Sequence, residues 1–324
     1  MDYEKGGTQK QYYGEDEVIT RDCPSCSAKE TIEICKERGA VGVVRCRKCS
    51  LIYTNPIVKD PEKNYWGDEQ KYYEETRLIV EGKAGCHRDP NYIADLKLIE
   101  KLKPEGNFLD IGTSMGFFLR HTRGKKWNVF GVEPSPVLSK MACKHFGLNV
   151  KNAYLENAGF EDNFFDVVTM TDVFEHIPEP KKMLSGIRKI LKKDGILFIK
   201  VPNGKYNLLK FWIAKNTGGL KNNDIFDSYE HLTHYTQKTL MKMLADCGFT
   251  LSKALIGKPI QLPVWHKYVG HFYVYPSPWM LDMKNHALRN LFYYISKGEF
   301  ALRSGNIGNL APNIIVIAKR NDNH

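Results

Sequence analysis

The sequence contains no run of about 18 consecutive apolar residues, so it offers no candidate for a membrane-crossing helix. Its opening stretch, MDYEKGGTQKQYYGEDE, is polar and acidic and has no apolar segment of the kind a signal peptide needs. Both absences point to the cytoplasm. A concentrated basic stripe, the footprint of a nucleic-acid surface, is also missing although the formal net charge is +10. The lysines are spread along the chain, and KKMLSGIRKILKK reads as a helix with a basic, solvated face. That charge attracts anions in general, phosphorylated compounds and a membrane surface among them. Apolar material is plentiful: 42% hydrophobic and 12% aromatic over 324 residues, enough for one large domain and a smaller one.

Disulfides are not expected from the eight cysteines of a cytoplasmic chain. Four of them are ordered instead. CPSC supplies Cys23 and Cys26, CRKC supplies Cys46 and Cys49, and nineteen residues lie between the pairs. This is the spacing of a four-cysteine zinc site, in which each C-x2-C turn presents two thiolates to a tetrahedral ion. The intervening TIEICKERGAVGVVRC suggests a hairpin, so residues 1–55 read as a polar tail and a zinc ribbon. Four thiolates leave no open position for water, and the zinc is expected to be structural. Cys35, Cys86, Cys143 and Cys247 read as ordinary thiols. Residues 56–89, rich in tyrosine and charge, read as a linker and lid helix.

Residues 90–324 alternate strand and helix signals. NYIADLKLIEKL is a helix capped by Asn91, NFLDI a buried strand ending at Asp110, and Met115 to Arg123 the helix after it. NVFGVE ends at Glu133, with Ser135 as the next helix cap. FDVVTM and GILFIKVPN are further strands, Thr236 caps a helix closed by Gly248, and TLSKALI and NIIVIAKR are late strands. Such alternation predicts an open α/β sheet with helices on both faces, and ligands beyond the carboxyl ends of its strands.

The loop after the first strand is LDIGTSMGFF, with glycines at 112 and 116 and none between. The glycines permit a sharp turn and close approach to a ligand. Glu133, twenty-one residues after Gly112, sits where a carboxylate accepts ribose hydroxyls. Together they indicate an adenosine-containing cofactor. The missing middle glycine argues against a pyrophosphate, and S-adenosylmethionine fits better, with Asp110 facing its positively charged end.

FLDIGTSMGFFL, GVEPSP, FDVVTMTDVFEHIPEP, GILFIKVPN and HYTQKTLMKMLADCGF follow one another in an order that resembles class I S-adenosylmethionine-dependent methyltransferases, over roughly residues 90–257 and the final strand. With the upstream ribbon, the chain is similar to bacterial methyltransferases associated with sugar and glycan modification. The resemblance implies a Rossmann-like, mostly parallel seven-stranded sheet. It places Asp110, Gly112, Thr113 and Gly116 in the first cofactor motif and gives Glu133 the ribose. Leu155 and Glu156 flank the adenine, and Thr171 and Asp172 line the methionine end. Glu175 and His176 form the family's EH pair, read here as capping and orienting the loop. The adenine loop lacks the aspartate often found there.

A hydroxyl or acidic C–H acceptor needs its proton removed. FDSYEHLTHYT resembles the HEHxxYF stretch of sugar C-methyltransferases, which makes His231 and Glu230 the candidate catalytic pair, with Tyr229 in place of the first histidine. A polar cluster that merely anchors the loop is the competing reading. The aromatic-rich insertion at 258–311 suits a substrate lid, a subunit contact, a peripheral contact on the inner face of the membrane, or extra core. The expected acceptor is a sugar, nucleotide-sugar or lipid-linked glycan precursor. An RNA methyltransferase that reads RNA with its ribbon is the alternative, disfavoured by the absence of an NPPY-type motif and of a basic stripe. A scaffold with a vestigial pocket and an NAD-dependent dehydrogenase rank lower.

Overall fold

The computed structural model describes residues 11–60, 69–86, 88–217, 224–257, 268–269, 272–274, 298, 301 and 311–321. Two matching turns shape its N-terminal module. In each, the residue after the second cysteine takes a left-handed φ, 56° at Ser27 and 63° at Ser50. Its N–H then reaches back to the carbonyl of the first cysteine, Cys23 at 2.9 Å and Cys46 at 3.0 Å. Strands β1 (Val18–Ile19), β2 (Thr31–Glu37), β3 (Val41–Cys46), β4 (Ile52–Thr54) and β5 (Ile57–Val58) surround these turns. The predicted hairpin is β2–β3, extended antiparallel by β4, while β5 pairs back onto β1.

Helix α1 (Glu69–Val80), β6 (Ala84–Cys86) and α2 (Asp89–Leu102) lead into the larger unit. It continues through β7 (Glu105–Ile111), β8 (Lys126–Val132), α3 (Pro136–Phe146), β9 (Val150–Lys151), β10 (Phe165–Thr171), α4 (Pro180–Ile190), β11 (Leu191–Pro202) and α5 (Gly204–Thr217). The remaining elements are β12 (Thr233–His234), α6 (Gln237–Asp246), β13 (Phe249–Ile256), β14 (Tyr268–Val269), β15 (Phe272–Val274) and β16 (Asn313–Arg320). Seven strands form one sheet in the order β13-β16-β11-β10-β7-β8-β9, and β16 alone runs against its neighbours. This is the Rossmann-like sheet that the resemblance implied.

Burial on both faces explains why the strands are apolar throughout. β7 sends Phe108 to one side, against Leu96 and Ile99 of α2. It sends Leu109 and Ile111 to the other, among Leu184 and Ile187 of α4 and Leu240 and Met243 of α6. From β7 the chain winds outward through β8 and β9, then returns to build β10 and β11 on the opposite side. The crevice between the ends of β7 and β10 is therefore the topological switch point.

Two local expectations need correction. Asn91 does not cap α2; the helix starts two residues earlier with Arg88 before it, and Asn91 is buried inside its first turn. The helix expected over Met115 to Arg123 is only a 3₁₀ turn at Leu119–Thr122. Gly116 and Gly124 both take positive φ, 83° and 76°, and Phe117 and Phe118 between them serve different hydrophobic clusters, so no single helical stripe forms. Ser135 and Thr236 do cap, accepting from the N–H groups of Leu138 and Thr239.

The ribbon is not a separate bead. β4 pairs antiparallel with β12, which comes from the loop following α5, and makes a four-stranded sheet β12-β4-β3-β2. Val44, Leu51 and Tyr53 share one hydrophobic cluster with Leu109, Phe174 and Tyr235. Arg38 pairs with Asp224 at 2.8 Å and lies over the Tyr229 ring. Of the 258–311 insertion, β15 pairs with β6 and returns to the linker; most of that segment lies outside the described residues.

The carboxylate of Glu37, at the end of β2, accepts from the N–H groups of Ile225 at 2.8 Å, Phe226 at 2.9 Å and Ser228 at 3.1 Å. Glu37→Gln turns one acceptor oxygen into a donor and leaves a buried N–H without a partner. The expected loss is about 1–3 kcal/mol in urea denaturation, with faster proteolysis inside 224–231. An unchanged midpoint together with unchanged protection would show that this carboxylate does not hold the loop.

Candidate active site

On the donor side, Asp110 is buried near the end of β7, with its Oδ1 accepting from Thr169 Oγ1 at 2.7 Å. Burial pushes its carboxyl up to about 7, against the hydrogen bonds of Thr169 and Thr113 and with Glu133 adding repulsion. The loop then turns through positive φ at Gly112 (72°), Ser114 (51°) and Gly116 (83°). A Cβ on Gly112 would lie 2.6 Å from Val173 Cγ2, so glycine is required by contact as well as by conformation. The N–H groups of Gly112 and Thr113 both reach the Val132 carbonyl, and Thr113 Oγ1 donates to the Asp110 carbonyl.

Glu133 ties this loop to the next. Its Oε2 accepts from the Ser114 N–H at 2.8 Å and its Oε1 from the Ser135 N–H at 2.9 Å. Each oxygen keeps a further lone pair, so the carboxylate can still accept two neighbouring hydroxyls. Burial raises its pKa while the two N–H groups oppose that. Leu155 is buried in a 3₁₀ turn beyond β9, and Glu156 beside it is exposed. At the end of β10, the Thr171 hydroxyl is buried without a hydrogen-bond partner among the described residues, and Asp172 takes a φ of 54°. This donor set fits S-adenosylmethionine: an anchored carboxylate for the ribose, an unspent hydroxyl, and acidic groups where a cationic methionine portion would lie.

Sequence reasoning missed Arg88, which no motif marks. Its Nη1 holds Asp172 Oδ2 at 2.6 Å, fixing the carboxylate next to Thr171. The Thr76 hydroxyl reaches the Met115 sulfur at 2.9 Å, so α1 lies against the glycine loop.

Residues 224–235 carry the pair expected on the acceptor side, Glu230 and His231. The rings of His231 and His176 meet edge to face with centroids 4.7 Å apart. His176 Nδ1 donates to the Glu230 carbonyl at 3.0 Å, and its Nε2 lies 3.9 Å from Glu175 Oε1. Glu230 thus meets His176 through its backbone, while its side chain neighbours the Tyr229 phenol. Burial pushes His231 down to about 4 and His176 well below its ordinary value, so both are neutral imidazoles at neutral pH. Burial, with Asp172 adding, raises the Glu175 carboxyl well above the carboxylate range. Loop orientation describes His176 well. Capping does not describe Glu175, because both of its oxygens are buried with no hydrogen-bond partner among the described residues. His234 and Tyr235 turn into the core, where Tyr235 stacks on Phe174 at 5.1 Å.

Cys23, Cys26, Cys46 and Cys49 place their sulfurs within 4.8 Å of one another, with Cys23–Cys49 and Cys26–Cys46 at 3.5 Å. Zinc–sulfur bonds of about 2.3 Å give a tetrahedron with edges of about 3.8 Å, so the set fits zinc. Burial acts to raise the Cys46 thiol, but hydrogen bonds from the Cys49 and Lys48 backbone and the Cys26 thiol outweigh it and bring it down to about 7.

Two measurements follow from this geometry. Cys46→Ser should lower the zinc content per chain and the Tm; full retention of zinc would rule out the four-thiolate site. Asp110, raised to about 7 in the fold, binds protons more tightly there than in the unfolded chain. Stability therefore falls as pH rises from about 4 to 7, and the penalty is complete above that. Cofactor-free Asp110→Asn should be more stable than the parent at pH 8, by at most about 4 kcal/mol, with the gap closing toward pH 4. Its affinity for S-adenosylhomocysteine should fall. A stability gap that does not vary with pH would contradict the assignment.

The chain is similar to known methyltransferases over part of its length. A family model described as a methyltransferase domain matches residues 87–254, just over half of the chain. An uncharacterized protein of Methanocaldococcus jannaschii is 27% identical over 191 residues, 59% of this chain and 81% of that protein. The ubiquinone biosynthesis O-methyltransferase of Glaesserella parasuis is 29% identical over 105 residues, 29% of this chain; the match spans 44% of that enzyme, less than half its length. A solved S-adenosylmethionine-dependent methyltransferase of Thermotoga maritima superposes with a TM-score of 0.46 at 19% identity, over 78% of this chain and 98% of that one. The chain belongs to this methyltransferase-domain family and is an S-adenosylmethionine-dependent methyltransferase.

Proposed function

We propose that the acceptor is a small polar molecule, a sugar, nucleotide-sugar or lipid-linked glycan precursor, methylated at a hydroxyl or carbon, and that zinc on the four cysteines is structural. S-adenosylmethionine supplies a methyl on a sulfonium, a good leaving group, so the protein's main task is to position the acceptor in line. Glu133 takes the ribose hydroxyls with the lone pairs its two N–H partners leave. Asp110 shapes the glycine loop, Leu155 and Glu156 flank the adenine, and Thr171 and Asp172 line the methionine end, with Arg88 holding Asp172.

The observation that carries the acceptor reading is a neutral His231 set against His176 and Glu175, three residues beyond Asp172. A neutral imidazole presents a lone pair toward an acceptor hydroxyl. Glu230 positions His176 through its carbonyl. The polar wall of Tyr229, Glu230 and His231 supports an acceptor that makes hydrogen bonds, as does the likeness of FDSYEHLTHYT to the stretch of sugar C-methyltransferases.

His231→Ala should leave the Kd for S-adenosylhomocysteine within about twofold and lower kcat by about a hundredfold or more; equal turnover would remove His231 from the reaction. For the acceptor, methyl-labelled S-adenosylmethionine is incubated with the protein and an extract of its source cells, half of it treated with ribonuclease. Label in small or lipid-linked molecules, insensitive to ribonuclease, is expected. Label in large material that ribonuclease releases would replace the glycan reading with an RNA one.

A further inference from the structure

Buried carboxylates in this protein are generally satisfied. Glu37 accepts three backbone N–H groups, Glu133 accepts two, Asp110 has Thr169, and Asp95 has Lys200 at 2.6 Å. Glu175 is different. Its side chain is 2% exposed and neither oxygen has a hydrogen-bond partner among the described residues. Such burial costs several kcal/mol unless something compensates.

What faces it is a pair of imidazoles prepared as donors. His176 Nδ1 meets a carbonyl, which only accepts, so that nitrogen carries the proton and Nε2 holds the lone pair. That Nε2 is the atom 3.9 Å from Glu175 Oε1. His231 likewise has a carbonyl, that of Phe226, as partner for a ring N–H. One donor atom from each of the three residues lies within 4.8 Å of the others.

We propose that Glu175, His176 and His231 bind a divalent first-row transition-metal cation. Bonds of about 2.0–2.2 Å place ligand atoms about 3–4 Å apart, within a small side-chain rotation of the spacing here. Two imidazoles and one carboxylate are the donor set that holds zinc or iron with positions left open, distinct in softness from the four thiolates of the ribbon. The outer contacts match as well. A metal-bound histidine ordinarily gives its second N–H to a carbonyl, as His176 does to Glu230, and this partner fixes the ring. Thr54 Oγ1 donates to the His231 carbonyl at 2.7 Å and so fixes the backbone of a second ligand.

The site deepens the methyl-transfer reading, and only its consequence rests on that reading: the His231 lone pair then serves the acceptor through a cation. An acceptor oxygen completing the open coordination would have its pKa lowered without a strong base nearby.

Cobalt(II) tests this on the full chain with zinc on its thiolates. Dialysis should retain one cobalt per chain, with weak d–d bands and without the intense thiolate charge-transfer band. Glu175→Gln and His231→Ala should each weaken retention by more than about a hundredfold. Cys143→Ser, at an exposed thiol, should leave it unchanged. Zinc content and S-adenosylhomocysteine affinity, measured on the same samples, confirm that each variant is folded. If the parent chain retains no cobalt beyond that carrying the thiolate band, or both variants retain as much as the parent, the proposal is overturned. Either result with S-adenosylhomocysteine still bound leaves the methyltransferase assignment standing; loss of that binding from the parent chain would count against the cofactor site instead.

Discussion

Thr54 holds the carbonyls of both His231 and Leu232, and the placement of the loop at 231–234 depends on that grip. Its N–H donates to the Leu232 carbonyl at 3.0 Å and its hydroxyl to the His231 carbonyl. Its own carbonyl accepts from Arg21 Nε, while the same guanidinium reaches the carbonyls of Leu232 and Pro178. Thr54 is the last residue of β4, so its position is set by the β3–β4 pairing and, behind it, by the Cys46–Cys49 turn. The ribbon is therefore a wall of the site. Zinc on its thiolates would have no open coordination position, yet it would act on chemistry by fixing where β4 ends.

Four carboxylates, Asp110, Glu133, Asp172 and Glu175, lie at or just beyond the carboxyl ends of β7, β8 and β10, and each is stabilised differently. Glu133 lies just before α3, where N–H groups and the helix dipole favour negative charge. Asp172 has a guanidinium and Asp110 a hydroxyl. Among the described residues, neither oxygen of Glu175 has a hydrogen-bond partner. The series runs from Glu133, where backbone donors satisfy the charge, to Glu175, where no described group does. Such an arrangement suits a cationic donor at one end and a cation-dependent or proton-sharing acceptor at the other.

Much of the donor side could be read from the chain because its signals are local. Gly112 and Gly116 must turn sharply, Glu133 ends its strand, and Ser135 and Thr236 cap at the positions where a hydroxyl is useful. The four cysteines declare their geometry through spacing alone. Failures have physical causes too. Asn91 looks like a cap, but Pro90 already favours the first turn and draws the helix start forward to Asp89. Met115 to Arg123 has helical composition, but two left-handed glycines and two phenylalanines sent to different clusters prevent a stripe. Arg21, Glu37, Thr54 and Arg88 were invisible because their partners are remote. No periodicity marks a carboxylate whose three N–H donors lie in Ile225, Phe226 and Ser228. Glu175 resisted for a related reason: an EH pair announces a family, and only the fold shows that its carboxylate caps nothing.

The two halves of the site therefore differ in how they are held. Asp110, Glu133, Thr171 and Asp172 lie at the ends of β7, β8 and β10 of one sheet, so bringing them together requires only short loops. The acceptor side joins Arg21, Glu37 and Thr54 to residues 224–235 across most of the chain, and such closure carries more entropy to overcome. Contacts joined across so long a loop gain their stability from the shared core, in which Val44, Leu51 and Tyr53 lie with Leu109, Phe174 and Tyr235. A fluctuation that lifts the ribbon would release His231 and the 224–231 loop while leaving the glycine loop and Glu133 in place. Zinc on the four thiolates would act there by steadying β4, and through the Thr54 hydrogen bonds it would steady the His231 and Leu232 carbonyls.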